Sequence, residues 1–590
     1  MHQRYRPDRS DNKKKVAIPV FSGNIDVDQA GVLLSLPALL SNGILSGKNI
    51  LQFNEGYYSL ASILISLAFC ILLRIKSIEK IGDEAPGELG KSIGLDRIPE
   101  VKTIRTKIED LSKDGQSERW LGELSKEWMH QNSELAGVLY LDGHTDVYYG
   151  KKNKLPRCYI SRLRLAMRAT TDYYVCDKLG QPFFSISKSI NGSMIEVIKT
   201  DIVPRLENDV PNQPDPEALL NDHFLHKFML VYDRECYSPD FMIDMWEKRI
   251  ACCTYNKYVR EPWPEIEFSV YETENEYGEK EIIQLAERGI LIEGNETEAL
   301  PEPIQVIELE ESAEGYTCKT TKKRTKKKRQ LWVREVRKIR ENGNQTSILT
   351  TNYKLPLDLI GVYMFARWCQ ENFFKYAMKN FGLDMIISYF QTDISDTAEL
   401  VNPAWRVLDK QIRSKNAKLT HLEAKYGNLH FNSELHEKPF ANFTSKKEQM
   451  LEDISIYRNQ ITDLKANRNE IPAKIRYADL PDEEKFKGVH NERKQLVDTI
   501  KLIASRSEIA LASVIKEYMA KPKEARALME QFYKSTADLK ADYQTNILNI
   551  SIHHQATVHE DIVLTKLCEY LNETETIFPG TELKLNYCLI

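Results

Sequence analysis

The chain has 590 residues, 42% of them hydrophobic and 28% charged, and its formal net charge is −5 at pH 7. This length predicts about three to five domains or subdomains, and the composition excludes a largely disordered protein. The slightly acidic balance excludes a uniformly basic nucleic-acid binder, so any contact with DNA must use local basic surfaces.

The ten cysteines form no CxxC pair, which argues against both a zinc site and a secreted disulfide framework. The N-terminus is polar and basic, and it lacks the apolar core of a signal peptide. We therefore expect a reduced, cytoplasmic protein.

Residues 1–25 are predicted to be a polar tail, and residues 26–130 a helical DNA-binding domain. The uncharged stretch Tyr57–Leu73 is near the lower length limit of a membrane span. Three serines interrupt it, and Arg74 and Lys76 continue its helical pattern, which favours a buried helix. We expect no membrane partner.

Residues 86–112 show the signals of a helix-turn-helix, because Pro86 opens one helix and Gly94 lies at the turn that follows. An ordinary pair of surface helices explains the pattern equally well. If the motif binds DNA, the second helix presents three cations to it. These are Lys102, Arg105 and Lys107.

From residue 131 to residue 265 the pattern changes to buried strands. The apolar runs Leu135–Leu141 and Phe224–Tyr232 enclose a predicted hairpin, with its turn at Asp177–Gly180, and a helix. Near-continuous apolar runs are typical of strands covered on both faces. The order strand, hairpin, helix, strand, helix, strand predicts a ribonuclease-H-like α/β core.

Three carboxylates are placed to meet in this core. Asp142 and Asp233 end the two apolar runs, and Glu371 lies on an amphipathic helix within residues 353–396, the second part of the core. Carboxylate oxygens suit Mg²⁺ or Mn²⁺, and two such ions favour in-line displacement at a phosphodiester. The simpler alternative is that the aspartates cap the turns after their strands.

Apolar and polar residues alternate in several segments of residues 266–352, as they do in antiparallel strands, and Asn342–Gly343 is a hairpin signal. These residues therefore predict a β insertion between Asp233 and Glu371. The insertion contains a basic run, Lys322–Arg329, with seven cationic residues out of eight. This run is either a solvated loop or a surface that binds the phosphate backbone. A tryptophan beside the run is suited to stacking on an unpaired base, although a place in the sheet core explains it more simply. The DNA-binding candidates here are Lys326, Lys327, Lys328, Arg329 and Trp332.

On the glutamate helix, Tyr363, Arg367, Glu371 and Lys375 recur every four residues and so share one helix face. Arg367 would then lie beside the metal ions and contact a phosphate with both arms of its guanidinium. A surface Arg–Glu pair of little consequence for stability is the alternative. His144, two residues after Asp142, either contacts DNA or is a core histidine.

Residues 397–590 are predicted to be a helical and coiled-coil C-terminal region. Two heptad-like seams, Leu408–Leu422 and Ile454–Leu464, predict a long antiparallel helical hairpin. Spacing alone leaves open whether this hairpin dimerises, holds DNA or braces the core.

Four strings resemble motif blocks of bacterial insertion-sequence DDE transposases. The two aspartate blocks are the most specific of them, and the resemblance spans roughly residues 25–590. The strings are LYLDGHTDVYYGKK and LVYDRECYSPDFMIDMWEKRIACCTYNK around the aspartates, VREVRKIRENGNQTSILTTN at the end of the β insertion, and RWCQENFFKYAMKNFGLD around the glutamate.

The closest likeness is to the YREK-type group, in which tyrosine, arginine, glutamate and lysine recur at fixed spacing. Arg367 matches that pattern, whereas Tyr363 is one position early and Met378 stands at the lysine position. The departure leaves the lysine unassigned and does not affect the carboxylates.

The resemblance implies a transposase that binds the terminal inverted repeats of an insertion sequence, cleaves the DNA ends and joins the 3′-OH to target DNA. It implies two Mg²⁺ (or Mn²⁺) ions held by Asp142, Asp233 and Glu371, with Arg367 as a fourth catalytic residue. It also implies a homodimer on double-stranded DNA, associated with the bacterial nucleoid. A non-catalytic, domesticated DNA-binding descendant and a ribonuclease-H-type nuclease are the alternatives.

Overall fold

The computed structural model describes the chain in two compact units. Unit 1 comprises residues 1–149, 157–389 and 490–590, and unit 2 comprises residues 150–156 and 390–489. The described residues are 16–148, 155–160, 165–188, 193–259, 261–274, 280–296, 304–312, 315–323, 328–383, 391–392, 394–431, 440–489 and 491–590.

The α-helices of these residues are α1 (Leu36–Ser41), α2 (Leu60–Leu72), α3 (Pro86–Ser92), α4 (Val101–Leu111), α5 (Gln116–Gln131), α6 (Ser133–Ala136), α7 (Met194–Val197), α8 (Val203–Asp209), α9 (Pro216–Asn221), α10 (Pro239–Glu247), α11 (Leu357–Phe365), α12 (Arg367–Phe381), α13 (Pro403–Phe431), α14 (Phe440–Asn469), α15 (Asn491–Lys516), α16 (Ala525–Lys534) and α17 (Val558–Glu573).

The strands are β1 (Asn24–Val27), β2 (Val138–Val147), β3 (Arg157–Ile160), β4 (Leu165–Cys176), β5 (Pro182–Lys188), β6 (Met229–Tyr232), β7 (Ala251–Tyr255), β8 (Ser269–Glu274), β9 (Lys280–Glu296), β10 (Ile304–Ser312), β11 (Gly315–Lys323), β12 (Lys328–Ile339), β13 (Gln345–Thr350), β14 (Gln391–Thr392), β15 (Glu399–Val401), β16 (Lys474–Arg476), β17 (Gly488–Val489), β18 (Ala537–Asp542), β19 (Ile547–Ile552) and β20 (Lys584–Leu589).

A ten-stranded sheet forms the centre of unit 1, in the order β3-β4-β2-β6-β7-β13-β12-β9-β8, with β5 also paired to β4. Strands β2, β6 and β7 are parallel, and β4 is antiparallel to both β2 and β5. All four residues of β6 are buried, as expected of a strand covered on both faces. The predicted hairpin is present, with its turn at Gly180.

The same sheet continues through four antiparallel strands, β13, β12, β9 and β8, which contain most of the predicted alternating segments. The turn at Asn342–Gly343 joins β12 to β13, and Gly343 adopts a φ of 76° that favours glycine there. Strands β10 and β11 form a separate two-stranded sheet.

Helix α2 contains most of the apolar stretch Tyr57–Leu73, and twelve of its thirteen residues are buried. It packs against α15 in the core of unit 1. In the part of the chain that the structure describes, no helix combines the length and the apolar character needed to cross a membrane.

The predicted helical hairpin is present in unit 2, where α13 packs along α14. Paired side chains show that the two helices are antiparallel, because Asp409 meets Arg468 while Glu423, further along α13, meets Arg458. Ile412, Ile454 and Ile461 of the predicted seams are buried. Two short antiparallel strand pairs, β14–β17 and β15–β16, complete the unit.

The structure departs from the predicted helical C-terminal region of residues 397–590. Strands β18, β19 and β20 form a four-stranded sheet with β1, and β19 and β20 pair in parallel. Strand β1 also crosses the predicted boundary at residue 25 between polar tail and helical domain. These strands are short, and β1 finds its partner β18 more than 500 residues further along the chain.

Candidate active site

Asp142, in the middle of β2, and Asp233, directly after β6, lie side by side on neighbouring strands of the large sheet. The parallel strands β2 and β6 pair Leu141 with Tyr232, and each aspartate is the next residue. Adjacent strands are about 4.8 Å apart, so the two carboxyl groups are neighbours. The Gly143 N–H donates to Asp142 Oδ1 at 2.9 Å.

Asp233 also caps the helical turn that follows it, since the Arg234 N–H donates to Asp233 Oδ1 at 2.8 Å. The capping role anticipated as the alternative is thus present at Asp233. Capping uses one carboxylate oxygen, and Asp233 remains beside Asp142.

Helix α12 brings Glu371 to the same place. The buried Gln370 donates from Nε2 to the backbone oxygen of Tyr140 on β2 at 3.3 Å. On the neighbouring hairpin, a Cβ at Gly180 would lie 2.6 Å from the backbone of Cys369, so the helix sits directly on the turn. Glu371 follows Gln370, so its backbone lies next to the part of β2 that carries Asp142.

The three carboxylates are close enough to influence one another electrostatically. The pKa of Asp142 is raised to about 6, first by burial and further by the negative charges of Asp233 and Glu371. The nearby charge of Arg367 and the Gly143 N–H act in the opposite direction. We call Asp142, Asp233 and Glu371 the carboxylate triad.

Arg367 extends the site towards β7. Its Nη2 lies 3.2 Å from Glu371 Oε1, and its guanidinium carbon is 6.0 Å from the centre of the Tyr255 ring. The Arg367 side chain is 12% exposed, so this is a largely buried pair and not the predicted surface alternative. Tyr255 ends β7 next to Asp233, a position that the sequence analysis missed although its strand was recognised.

The donor set of the triad fits a hard divalent cation, because it offers only carboxylate oxygens and their mutual repulsion would be relieved by positive charge. The triad is too wide to enclose a single ion in the present arrangement. Among the described residues, the set of three ligand atoms within 4.8 Å of one another comes from Asp26, Asp538 and His553.

The structure changes the predicted arrangement of the neighbouring side chains. Helix α11 ends at Phe365 and α12 begins at Arg367, so Tyr363 does not continue the stripe of Arg367 and Glu371. Lys375 is exposed one turn beyond Glu371. His144 is buried and stacks on Phe374 with 5.3 Å between ring centroids, as a core histidine would.

The DNA-binding candidates of the helix pair lie on α4, as the sequence predicts. Lys102 is exposed. Arg105 forms an ion pair with Glu79, and Lys107 donates to the backbone oxygen of Asn54 and lies over the Phe53 ring. Two of these three cations therefore have partners within the protein.

The tryptophan of the insertion is on the surface and not in the core, since Trp332 is 60% exposed. Strand register places Val336 in the same row of the sheet as Asp233. Trp332 precedes Val336 by four residues, which separates it from that row by about 13 Å along the strand direction. Trp332 therefore lies away from the carboxylate triad.

Lys328 and Arg329, the end of the basic run that lies on β12, are further still from the triad, because Lys328 precedes Val336 by eight residues, or about 26 Å. Lys328 pairs with Glu293 at 3.0 Å, and Arg329 pairs with Asp244 at 2.7 Å. Lys326 and Lys327 lie outside the described residues.

Comparison with known proteins identifies a family. A family model described as "Transposase protein" matches residues 6–298 and 312–590, which include every residue of the site. The comparison with curated proteins found no match.

Proposed function

Since the chain belongs to this family of transposase proteins, we propose that it is a DDE transposase acting on the ends of an insertion sequence. It binds the terminal inverted repeats, cleaves the DNA ends and joins the resulting 3′-OH to target DNA. It acts as a homodimer on paired ends.

The strand order supports a ribonuclease-H-like core for this activity. In the order β5-β4-β2-β6-β7, β4 is antiparallel to its neighbours, whereas β2, β6 and β7 are parallel. Asp142, in the middle of β2, and Asp233, directly after β6, then lie where the parallel pairing of these strands ends, the side on which ligands bind in open α/β sheets. Strands β8 to β13 form the β insertion between Asp233 and Glu371.

Each residue of the site has a part in the proposed reaction. The carboxylate triad would hold two Mg²⁺ or Mn²⁺ ions, which activate the attacking oxygen and stabilise the leaving one. Arg367 orients Glu371 through its 3.2 Å contact and contributes positive charge towards the scissile phosphate. Gln370, held by Tyr140, fixes the register of α12 over β2.

The observation that carries the proposal is the 3.3 Å contact of Gln370 Nε2 with the Tyr140 backbone oxygen, next to the pairing of β2 with β6 that sets Asp142 beside Asp233. The three carboxylates are 91 and 138 positions apart in sequence order, yet they lie on elements that are in direct contact. Aspartates that only capped their own turns would not require a glutamate from a distant helix beside them.

The test is to incubate the purified protein and Mg²⁺ with labelled duplexes that carry the inverted repeats flanking its gene. An Asp233→Asn variant removes one proposed ligand. A Glu235→Gln variant serves as the matched control, because Glu235 is an exposed carboxylate two residues away. We expect nicking at the repeat boundary with a free 3′-OH, lost in Asp233→Asn and retained in Glu235→Gln.

Two other results would replace the proposal. Binding to the repeats without cleavage would identify a non-catalytic descendant. Cleavage of any duplex without preference for the repeats, with no joining of the 3′-OH, would identify a ribonuclease-H-type nuclease.

A further inference from the structure

Charges on helix α13 of unit 2 are sorted between its two faces. The helix has six lysines and arginines but only two acidic residues, Asp409 and Glu423. Both acidic residues are paired with α14: Asp409 lies 2.9 Å from Arg468, and Glu423 lies 2.8 Å from Arg458. Asp409 also lies 2.8 Å from Arg413 of its own helix, whose side chain remains 80% exposed. Each carboxylate of α13 thus helps to join the two helices.

The opposite face of α13 is exposed, and its charged residues are lysines and arginines. Together with the small residues and the histidine between them, they recur at intervals of three and four, so they form two adjacent rows along one side of the helix. Small side chains separate the cations: Ser414, Ala417 and Ala424 are all exposed. The residues of this cationic face are Arg406, Lys410, Arg413, Lys418 and Lys425, with the exposed His421 between the last two.

One lysine of α13 lies outside the cationic face. Lys415 points towards α14, where its Nζ donates to Gln460 Oε1 at 2.6 Å and lies over the Tyr457 ring. Helix α14 has nearly balanced charge, with five lysines and arginines against four acidic residues. The excess positive charge of the hairpin is therefore concentrated on one side.

The dimensions of this face match a DNA duplex. Arg406 and Lys425 are 19 residues apart, which is about 29 Å along an α-helix and slightly less than one turn of B-form DNA. A duplex presents about one phosphate charge per 1.7 Å of its axis, so a straight row of cations meets several phosphates.

A membrane surface does not fit this face equally well. A helix that lies on a membrane inserts an apolar side, whereas the apolar residues of α13 pack against α14. Val407, which is 55% exposed, is the large apolar residue beside the cations.

We propose that the cationic face of α13 binds target duplex DNA through its phosphate backbone. This inference rests on the proposed function, which requires a target as well as transposon ends. Lysine and arginine contacts to phosphates carry no sequence information. They suit a target bound at any sequence, whereas an inverted repeat must be read through its bases.

The test uses the full-length chain and a random duplex that lacks the inverted repeats. The triple variant Lys410→Gln/Arg413→Gln/Lys418→Gln removes three charges from the cationic face. The control Lys465→Gln/Lys474→Gln/Lys485→Gln removes three charges elsewhere in unit 2. Binding is measured by fluorescence anisotropy without divalent metal, between 50 and 200 mM salt.

We expect the slope of log affinity against log salt to fall by about 2 to 3 in the triple variant, because each lost phosphate contact contributes about 0.9. The loss of affinity between 50 and 200 mM salt then becomes about 40-fold smaller than in the wild-type protein. The control variant should keep the wild-type slope. An unchanged slope in the triple variant would overturn the proposal.

A second arm separates target from transposon DNA. With labelled inverted repeats and Mg²⁺, the triple variant should cleave ends at close to the wild-type rate but join them to target at least tenfold more slowly. Equal losses in cleavage and joining would assign the face to transposon ends and contradict the proposal. The binding arm needs no catalysis, so it remains informative if the wild-type protein does not cleave.

Discussion

Asp142 illustrates how a buried carboxylate opposes stability. Its pKa is about 6 in the folded protein because it is buried beside Asp233 and Glu371, compared with 3.8 for an ordinary aspartate. The folded state therefore binds this proton more tightly than the unfolded chain does. That difference favours the folded state at low pH, and it is lost as the pH rises from about 4 through 6.

We expect Asp142→Asn to abolish end cleavage and to stabilise the protein at pH 7.5. The gain in the free energy of unfolding should reach up to about 3 kcal/mol at pH 7.5 and should vanish below about pH 4. Urea unfolding at both pH values measures it, with Glu235→Gln as the control that changes little. A less stable Asp142→Asn protein at pH 7.5 would contradict this account.

At the scale of residues, the sequence is most informative where chemistry and a local pattern coincide. Asp142 and Asp233 end apolar runs, and the spacing of four between Arg367 and Glu371 correctly anticipates their contact. The burial of His144 was not decided by the sequence, because its partner Phe374 is 230 residues away. The break at Ala366 has no proline or glycine to mark it.

At the scale of elements, α15 joins the strands of the core through buried charges. Lys494 lies 3.2 Å from Asp146 on β2 and 2.7 Å from Asp498 on its own helix, and it also pairs with Asp172 on β4. Lys501 lies 3.2 Å from Asp498. Two lysines thus meet three carboxyl groups, and a proton on one carboxyl would balance the charge.

The surroundings favour that proton on Asp146. Burial raises the pKa of Asp146, and the neighbouring Asp172 carboxyl raises it further, whereas Lys494 acts to lower it. The pKa of Asp172 is lowered despite its burial, because Lys494 and Asp146 favour its ionised form. His144 also faces this pair, with Nε2 3.5 Å from Asp146 Oδ1.

The two aspartates should differ sharply when each is replaced by asparagine. Asp146→Asn preserves a neutral donor and should change the free energy of unfolding by less than about 1 kcal/mol. Asp172→Asn leaves Lys494 without its main charge partner and should be destabilising by about 3–5 kcal/mol. Chemical denaturation at pH 7 compares them, and equal losses would show that the proton is not on Asp146.

Strands β2, β4, β5, β6 and β7 were predictable because long apolar runs and turn residues mark them. The C-terminal sheet carries a weaker signal. Leu548, Ile550 and Ile552 of β19 alternate with polar residues, as a half-buried strand should. Charged helices on either side of residues 537–552 favoured a helical interpretation of the whole region.

At the scale of the molecule, unit 1 is held together by contacts between residues that are far apart in the sequence. Val27 of β1 is fully buried and pairs with Ala537 of β18. Tyr376 of the glutamate helix donates to Glu508 of α15 at 2.6 Å, and Glu508 also pairs with Arg74, beyond α2. Distant segments of the chain thus support the helix that carries Glu371.

We expect Val27→Asp to lower the free energy of unfolding of unit 1 by about 3–5 kcal/mol, because it buries an unpaired charge. Ile25→Asp, on the same strand, should change it by less than about 0.5 kcal/mol, since Ile25 is 71% exposed. Calorimetry of both variants tests this. If the two thermal midpoints fell equally, β1 would not be integral to the unit.

The pairing of β1 with β18 also has a consequence for the order of events on the ribosome. Asp26 receives its partner Asp538 only after 512 further residues have been made. At about 5–20 residues per second this takes about 25 to 100 s, during which β1 is an unpaired strand. The core is thus completed only near the end of translation, and nascent chains that stop earlier lack the fold that holds the triad in place.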